Sequence, residues 1–219
     1  MERGADVEDE PRFLEESLRG FLDGLASPSP TPGGGSAAAL AGALAAALVS
    51  MVSGLTVGSP RCADAHSQAK VLLGRSEALR EELQDLTETD AAAYASVSAA
   101  MKLPKDSDEE KQTRTLQLQK TLHWAMAVPL DVARRADAVA QLAVEAAEIG
   151  NVNAVSDAGV AALLAQAAVK AAQLNVAINA AFIQDKEAGA LALAELDELM
   201  ARTDVSAARA LASTQTRMA

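Results

Sequence analysis

Aromatic side chains are scarce in this 219-residue chain: three Phe, one Trp and one Tyr make up 2% of it. A sheet built from such a sequence would lack its usual aromatic complement. The 50% of hydrophobic residues, largely Ala, Leu and Val, suit closely packed helices instead. Cysteine is represented by Cys62 alone, which excludes an internal disulfide and a cysteine-based zinc site. Positive charge is also short. With 19 Lys and Arg against 30 Asp and Glu, the formal net charge is −11. That balance argues against nucleic acid or an anionic membrane surface as a partner. The first residues are acidic and carry no apolar run of secretory type, so a cytoplasmic location is expected. No stretch alternates as a strand and no internal repeat is visible. The expected fold class is all-α, an up-and-down multi-helix bundle with long, partly kinked helices and no sheet.

What the chain has in plenty is small residues. The stretch SPTPGGGSAAALAGALAAALVSM, Ser29 to Met51, lies in a segment without charge from Gly24 to Pro60. The segment is long enough to span a bilayer, but it lacks the Arg/Lys flank and the aromatic belt of a typical span. Ala38, Gly42, Ala46, Ser50 and Gly54 recur at every fourth position, a ridge along which another helix can approach closely. We read it as a buried central helix. Punctuation places the others. A short amphipathic helix is expected at about Arg12 to Leu25, and a long one after Pro60, stopped by Pro104. Ser107 with Glu110 forms a capping box that starts the next. That helix is expected to kink near Pro129 and to end at Gly150. A further helix runs from Asn151 to about Lys186, and a last one from about Ala188. The expected organisation is a flexible N-terminus over 1–11, a single helical domain over 12–200, and a helical or flexible tail over 201–219.

Two of these helices carry polar residues where apolar ones belong. Leu72, Ser76, Leu79, Leu83, Leu86, Asp90, Ala93, Val97 and Ala100 follow alternating 4-3 spacing and form one seam. Asp90 interrupts it, with Tyr94 one turn on. An unpaired carboxylate there is costly, so it is paired, protonated or faces a polar cavity, or else it fixes register. The helix after Gly150 has a seam of the same kind, from Asn153 and Asp157 through Val160, Leu164, Ala171, Leu174 and Ile178. Asn175 and Asn179 flank its far end, bonding either a neighbouring backbone or a ligand. A helix this apolar is central to one subunit or shared between two.

Eight short motifs stand in order along the chain: Ser29-Pro-Thr-Pro-Gly-Gly-Gly-Ser36, Met51-Val52 with Leu55-Thr-Val-Gly58, Asp90-Ala-Ala-Ala-Tyr94, Leu103-Pro-Lys105, Val128-Pro-Leu130, Gly150-Asn-Val-Asn153, Ser156-Asp-Ala158 and Asn175-Val-Ala-Ile-Asn179. Over about Arg12 to Lys186 the chain resembles the cyclodeaminase/cyclohydrolase family. That family comprises the C-terminal domain of formiminotransferase-cyclodeaminase and the stand-alone bacterial methenyltetrahydrofolate cyclohydrolases. The resemblance implies an all-helical fold, a homodimer and a folate site lined by these motifs. One departure is visible. The family often places Lys and Tyr after its L-T-x-G, whereas this chain has Ser59-Pro60-Arg61-Cys62.

The implied activity is methenyltetrahydrofolate cyclohydrolase, with formiminotetrahydrofolate cyclodeaminase as the alternative. A non-catalytic helical or folate-binding module, or a member that has moved to another amidine-like substrate, are the remaining readings. Both folate reactions pass through a tetrahedral carbon flanked by nitrogens that exchange protons, which buried carboxylates serve. Asp90 and Asp157 are the candidates, with Tyr94. Pro32, Gly33, Gly34, Gly35 and Ser36 form the expected pocket floor, because glycine lets the backbone approach a flat ligand and present amides. Asn151, Asn153, Asn175 and Asn179 are expected to line the site, with Lys105 and Arg114 receiving an anionic glutamate tail. No metal and no cofactor beyond the tetrahydrofolate substrate is expected. His66, His123 and Cys62 read as surface or packing residues, and Trp124 as a packing anchor.

Overall fold

The computed structural model describes residues 13–219. The expected flexible segment over 1–11 lies outside these residues. Six α-helices follow in order: α1 Leu18–Leu25, α2 Gly34–Val57, α3 His66–Met101, α4 Asp108–Ile149, α5 Val155–Phe182 and α6 Lys186–Met218. Short 3-10 turns precede α1, α3 and α5, and the described residues include no strand. The fold is all-α.

Local signals set the helix ends. Ser17 caps α1 by accepting from the Gly20 amide, and Ser107 with Glu110 closes both halves of the capping box at α4. Pro129 lies inside α4, which runs through it unbroken as one helix of 42 residues. Val128, Pro129 and Leu130 are all buried, so packing on both sides holds the turn that lost its hydrogen bond. The tail beyond residue 200 is helical to Met218.

Consecutive long helices pack against each other from α2 to α6, and α2 also packs on α5. The core is mostly alanine and valine. Ala39, Ala45, Ala46, Val49 and Val52 of α2 are fully enclosed. Gly42 faces Leu83 of α3 so closely that an added Cβ would sit 3.0 Å from its Cδ2, which explains the ridge of small residues. By length and composition alone, Gly34–Val57 and Val152–Phe182 are apolar enough to cross a membrane. A bundle core passes the same test, and half or more of each apolar window is buried here, 56% and 50%.

The two sequence seams part company. That of α3 is turned inward, with Leu72, Leu83, Ala93 and Val97 buried. That of α5 is turned outward: Leu174 is 71% exposed, and Val160 and Ile178 are exposed with it, as is Phe182 beside them. The buried stripe of α5 is a neighbouring one through Ala158, Ala161, Ala165, Ala172 and Val176. Leu44, Met51 and Leu55 form a matching exposed stripe on α2. Trp124, expected to anchor packing, is 40% exposed.

One buried polar knot ties α4 to α6. Asp137, 1% exposed, accepts from Thr203 Oγ1 at 2.7 Å, Gln141 Nε2 at 2.9 Å and Arg202 Nε at 2.7 Å. Asp137→Ala leaves the buried Thr203 hydroxyl without its acceptor. We expect a loss of about 1–3 kcal/mol in urea unfolding, the cost of orphaning a buried polar group. An unchanged midpoint would show the knot to be dispensable.

Candidate functional site

The glycine stretch and the misplaced carboxylate meet. Gly33 is the N-cap of α2, and Gly34, Gly35 and Ser36 form its first turn. Asp90 reaches this turn from α3. Its Oδ2 accepts from Ser36 Oγ at 2.9 Å, and the Ser36 backbone N–H donates to the same carboxylate. The carboxylate therefore caps α2 from outside, where the unpaired amides and the helix dipole favour negative charge. Gly35 makes the approach feasible. A Cβ there would overlap the Asp90 carboxylate. Gly35 is needed for this close contact, not for an unusual backbone angle. Ser36 is fully buried, so its hydroxyl is committed to Asp90.

Burial pushes the Asp90 carboxyl above the ordinary aspartate range, and the two donations from Ser36 oppose that rise without cancelling it. The group is held at an elevated pKa beside a cavity of about 320 Å³. Gly33 and Gly34 floor the cavity, Tyr94 and Met101 come from α3, and Asn175 and Asn179 from α5. Asn175 Nδ2 donates to Ala171 O at 3.0 Å, and Asn179 Nδ2 to Ala125 O at 2.8 Å. These bonds fix both carboxamides, and no described residue donates to their oxygens. Pro32 is buried beside Gly24 rather than in the lining, after a cis Thr31–Pro32 bond.

The basic candidates stand at the rim. Arg114 Nε and Nη2 donate to Met101 O at 3.3 and 3.2 Å, closing the C-terminus of α3 next to a lining residue. Lys102 and Lys105 are exposed on the same turn.

The remaining candidates lie elsewhere. Asn151, Asn153 and Asp157 are at the opposite end of α5 from Asn175 and Asn179. The 28 residues of that helix span about 42 Å. Within one chain, Asp90 and Asp157 do not share a cavity. The Asn151 amide donates to Thr56 Oγ1 at 2.8 Å, and Asn153 N to Asn151 Oδ1 at 3.1 Å. An added Cβ at Gly150 would overlap Ala146 O and crowd Val52, so this turn too depends on glycine for close approach. A second cavity of about 660 Å³ opens here, lined by Arg61, Cys62, Asn151, Asn153 and Arg217. Arg217, on α6, donates to Ala147 O at 2.8 Å and Gly150 O at 2.6 Å. No sequence motif pointed to it. Only the return of α6 along α4 reveals its place. Ile178, read from sequence as a seam residue, and Phe182, which no motif singled out, also line the first cavity.

Comparison with known proteins adds the following. The family model of formiminotransferase-cyclodeaminase matches residues 17–198. A methenyltetrahydrofolate cyclohydrolase of Methylorubrum extorquens is 45% identical over 85% of this chain and 89% of its own length. A formimidoyltransferase-cyclodeaminase of Rattus norvegicus is 39% identical over 78% of this chain, which spans only 31% of that protein. The crystal structure of a formiminotetrahydrofolate cyclodeaminase from Thermotoga maritima superposes with a TM-score of 0.83 at 32% identity. It covers 93% of this chain and 98% of that one.

The raised Asp90 pKa carries a stability consequence. Above that pKa the ionised carboxylate makes folding less favourable, and protonation relieves the cost as pH falls through it. Asp90→Asn should therefore raise Tm at pH 7–8, with a gain that shrinks towards pH 4. A gain that grows on acidification would show the carboxylate to be stabilised, not strained, in the fold.

Proposed function

Because the chain belongs to the formiminotransferase-cyclodeaminase family, we propose that it is a folate-dependent one-carbon enzyme with methenyltetrahydrofolate cyclohydrolase activity. The observation that carries this is the Asp90 carboxylate, fixed by Ser36 over a small cavity and held above its ordinary pKa. The near full-length similarity to the Methylorubrum cyclohydrolase supports that reaction over the alternative. The Thermotoga match supports the cyclodeaminase reading, in which N10 attacks the formimino carbon and ammonia leaves.

In the cyclohydrolase reading, the substrate presents a cationic carbon bridged between N5 and N10. The negative carboxylate stabilises that cation electrostatically. Water adds its oxygen to the bridging carbon, and Asp90 accepts a proton from it. The carboxylic acid then returns a proton to N5 as the C–N5 bond breaks. The added hydroxyl loses its remaining proton and becomes the carbonyl of the 10-formyl product, so one proton is released overall. A carboxyl with a raised pKa is suited to both transfers, since it binds a proton more readily than an ordinary aspartate. Tyr94 lies one turn along α3 at the same wall. The free carboxamide oxygens of Asn175 and Asn179 are acceptors for the N–H groups of a pterin ring.

A homodimer fits the exposed stripes of α2 and α5, which present more apolar surface than a monomer ordinarily leaves in water. A cytoplasmic enzyme without nucleic-acid or membrane partners, and without a metal or further cofactor, completes the proposal.

Purified protein should speed loss of the methenyltetrahydrofolate absorbance, with EDTA present and no metal added. Asp90→Asn should slow it at least about a hundredfold, the usual worth of a general acid–base group, with helicity retained. Near-normal turnover by that variant would remove Asp90 from the chemistry. Assay of ammonia release from the 5-formimino substrate on the same samples separates the two activities.

The rim predicts a division of labour. A −11 protein repels an anionic folate at long range, so a local basic turn must receive the glutamate tail. Lys105→Ala and Arg114→Ala should raise KM more for polyglutamylated than for monoglutamyl substrate, with kcat nearly intact. Each exposed pair contributes about 0.2–1 kcal/mol, and added salt should narrow the gap. Equal effects on both substrates would show that these residues do not read the tail.

A further inference from the structure

The proline inside α4 and the second asparagine at the end of α5 are joined through one carbonyl. A helical carbonyl ordinarily accepts from the N–H four residues on. Pro129 has no N–H to give, so the carbonyl of Ala125 loses its helical donor. Ala125 is buried, and an unpartnered carbonyl in such a place is costly. Its donor comes from another helix: Asn179 Nδ2 of α5 reaches Ala125 O at 2.8 Å. Asn175, one turn earlier, behaves differently. It donates to Ala171 O, four residues back in its own helix, a bond open to a helical asparagine without help from a neighbour. Asn179 leaves the equivalent carbonyl of its own helix and turns to α4 instead.

A carbonyl only accepts, so this bond decides which end of the Asn179 carboxamide faces α4. The NH2 does, and Oδ1 is turned the other way. Ala125 and Asn179 both line the first cavity, where no described residue donates to that oxygen. The backbone beneath it is held as well. Gln119 of α4 donates through Nε2 to Phe182 O at 3.3 Å and accepts at Oε1 from Gln184 N at 2.7 Å, and Ile183 between them is fully buried. With the end of α5 fixed in this way, rotation of the carboxamide is the freedom left, and Ala125 O removes it. The geometry points to Pro129 as a positioning residue of the first cavity: by withholding an N–H it keeps Ala125 O for Asn179, and so presents Asn179 Oδ1 as a fixed acceptor to a ligand edge that carries N–H groups. A carbonyl has two lone pairs, so the competition that proline prevents is one of direction. An N–H at position 129 would draw the Ala125 oxygen along the axis of α4, whereas the proline ring crowds it off that axis. The consequence for the ligand rests on the folate reading above, in which that edge belongs to the pterin. The link from Pro129 to Asn179 does not depend on it.

Pro129→Ala and Pro129→Val each restore the N–H, and valine keeps most of the volume of the proline ring. Two readouts then test the inference. By NMR, the side-chain NH2 of Asn179, identified by its loss in Asn179→Ala, should exchange with solvent about two- to tenfold faster in both proline variants than in wild type, the change expected from one neutral hydrogen bond. In the absorbance assay, KM for methenyltetrahydrofolate should rise by a similar factor, about two- to tenfold, in both variants, with kcat nearly intact. Asn179→Ala should raise KM too, and adding Pro129→Ala to it should raise KM no further, because the proline acts through that side chain alone. A wild-type KM in Pro129→Val would show that the bulk of the ring matters and not the missing donor, which overturns the inference. Multiplying effects of the two changes overturn it equally, as does unaltered NH2 exchange in both proline variants. A proline that served stability alone would shift the unfolding midpoint and leave KM unmoved. Circular dichroism of each variant separates misfolding from lost positioning. Wild type inactive on both folate substrates would instead sink the functional reading, and the exchange measurement would still decide the link from Pro129 to Asn179.

Discussion

The contact between Asp90 and the first turn of α2 is the constraint from which the rest follows. A carboxylate is brought out of water and set against Ser36, where it gains two hydrogen bonds and the favourable end of a helix dipole. Those gains do not cover the cost of burial, and the group is left with a raised pKa. Placing it there demands glycine at position 35, because any Cβ would occupy the space of the carboxylate. Gly35 thus serves the protein's own anion first, while Gly33 and Gly34 line the cavity beside it.

Close approach is also how the bundle holds that contact in place. α2 and α3 pack through Gly42 against Leu83, and fully enclosed alanines fill α2, α4 and α5. Small side chains lose little conformational entropy on burial, but each also contributes little apolar area. Such a core gains from many near contacts over long helices, which suits the 36- and 42-residue lengths of α3 and α4. The length has a functional effect. It sets Asp157 about 33 Å along α5 from Asn179, too far for both to reach one small ligand within a single chain.

Much of this was legible from the residues. Asp90 announced itself by interrupting an apolar seam, and that seam is buried as its spacing required. The capping box at Ser107 marked the start of α4 because its two hydrogen bonds are local. The seam of α5 was harder. On a helix apolar on all sides, 4-3 spacing can be drawn along several stripes, and the one through Val160, Leu174 and Ile178 proves to be the outer one. Pro129 was placed inside α4 by its flanking residues, and the burial of Val128 and Leu130 keeps the helix unbroken there. Arg217 was invisible for a different reason. Its partners are carbonyls at the end of α4, about 70 residues away, and backbone acceptors leave no mark in sequence.

The central claim is that Asp90 sits at the reacting carbon. A crystal structure of the protein with bound 10-formyltetrahydrofolate tests it most directly. The account predicts the one-carbon group within hydrogen-bond reach of an Asp90 carboxylate, the pterin near Asn175 and Asn179, and the glutamate leading out past Met101 and Arg114. A folate bound with its one-carbon group out of reach of every Asp90 carboxylate would contradict it.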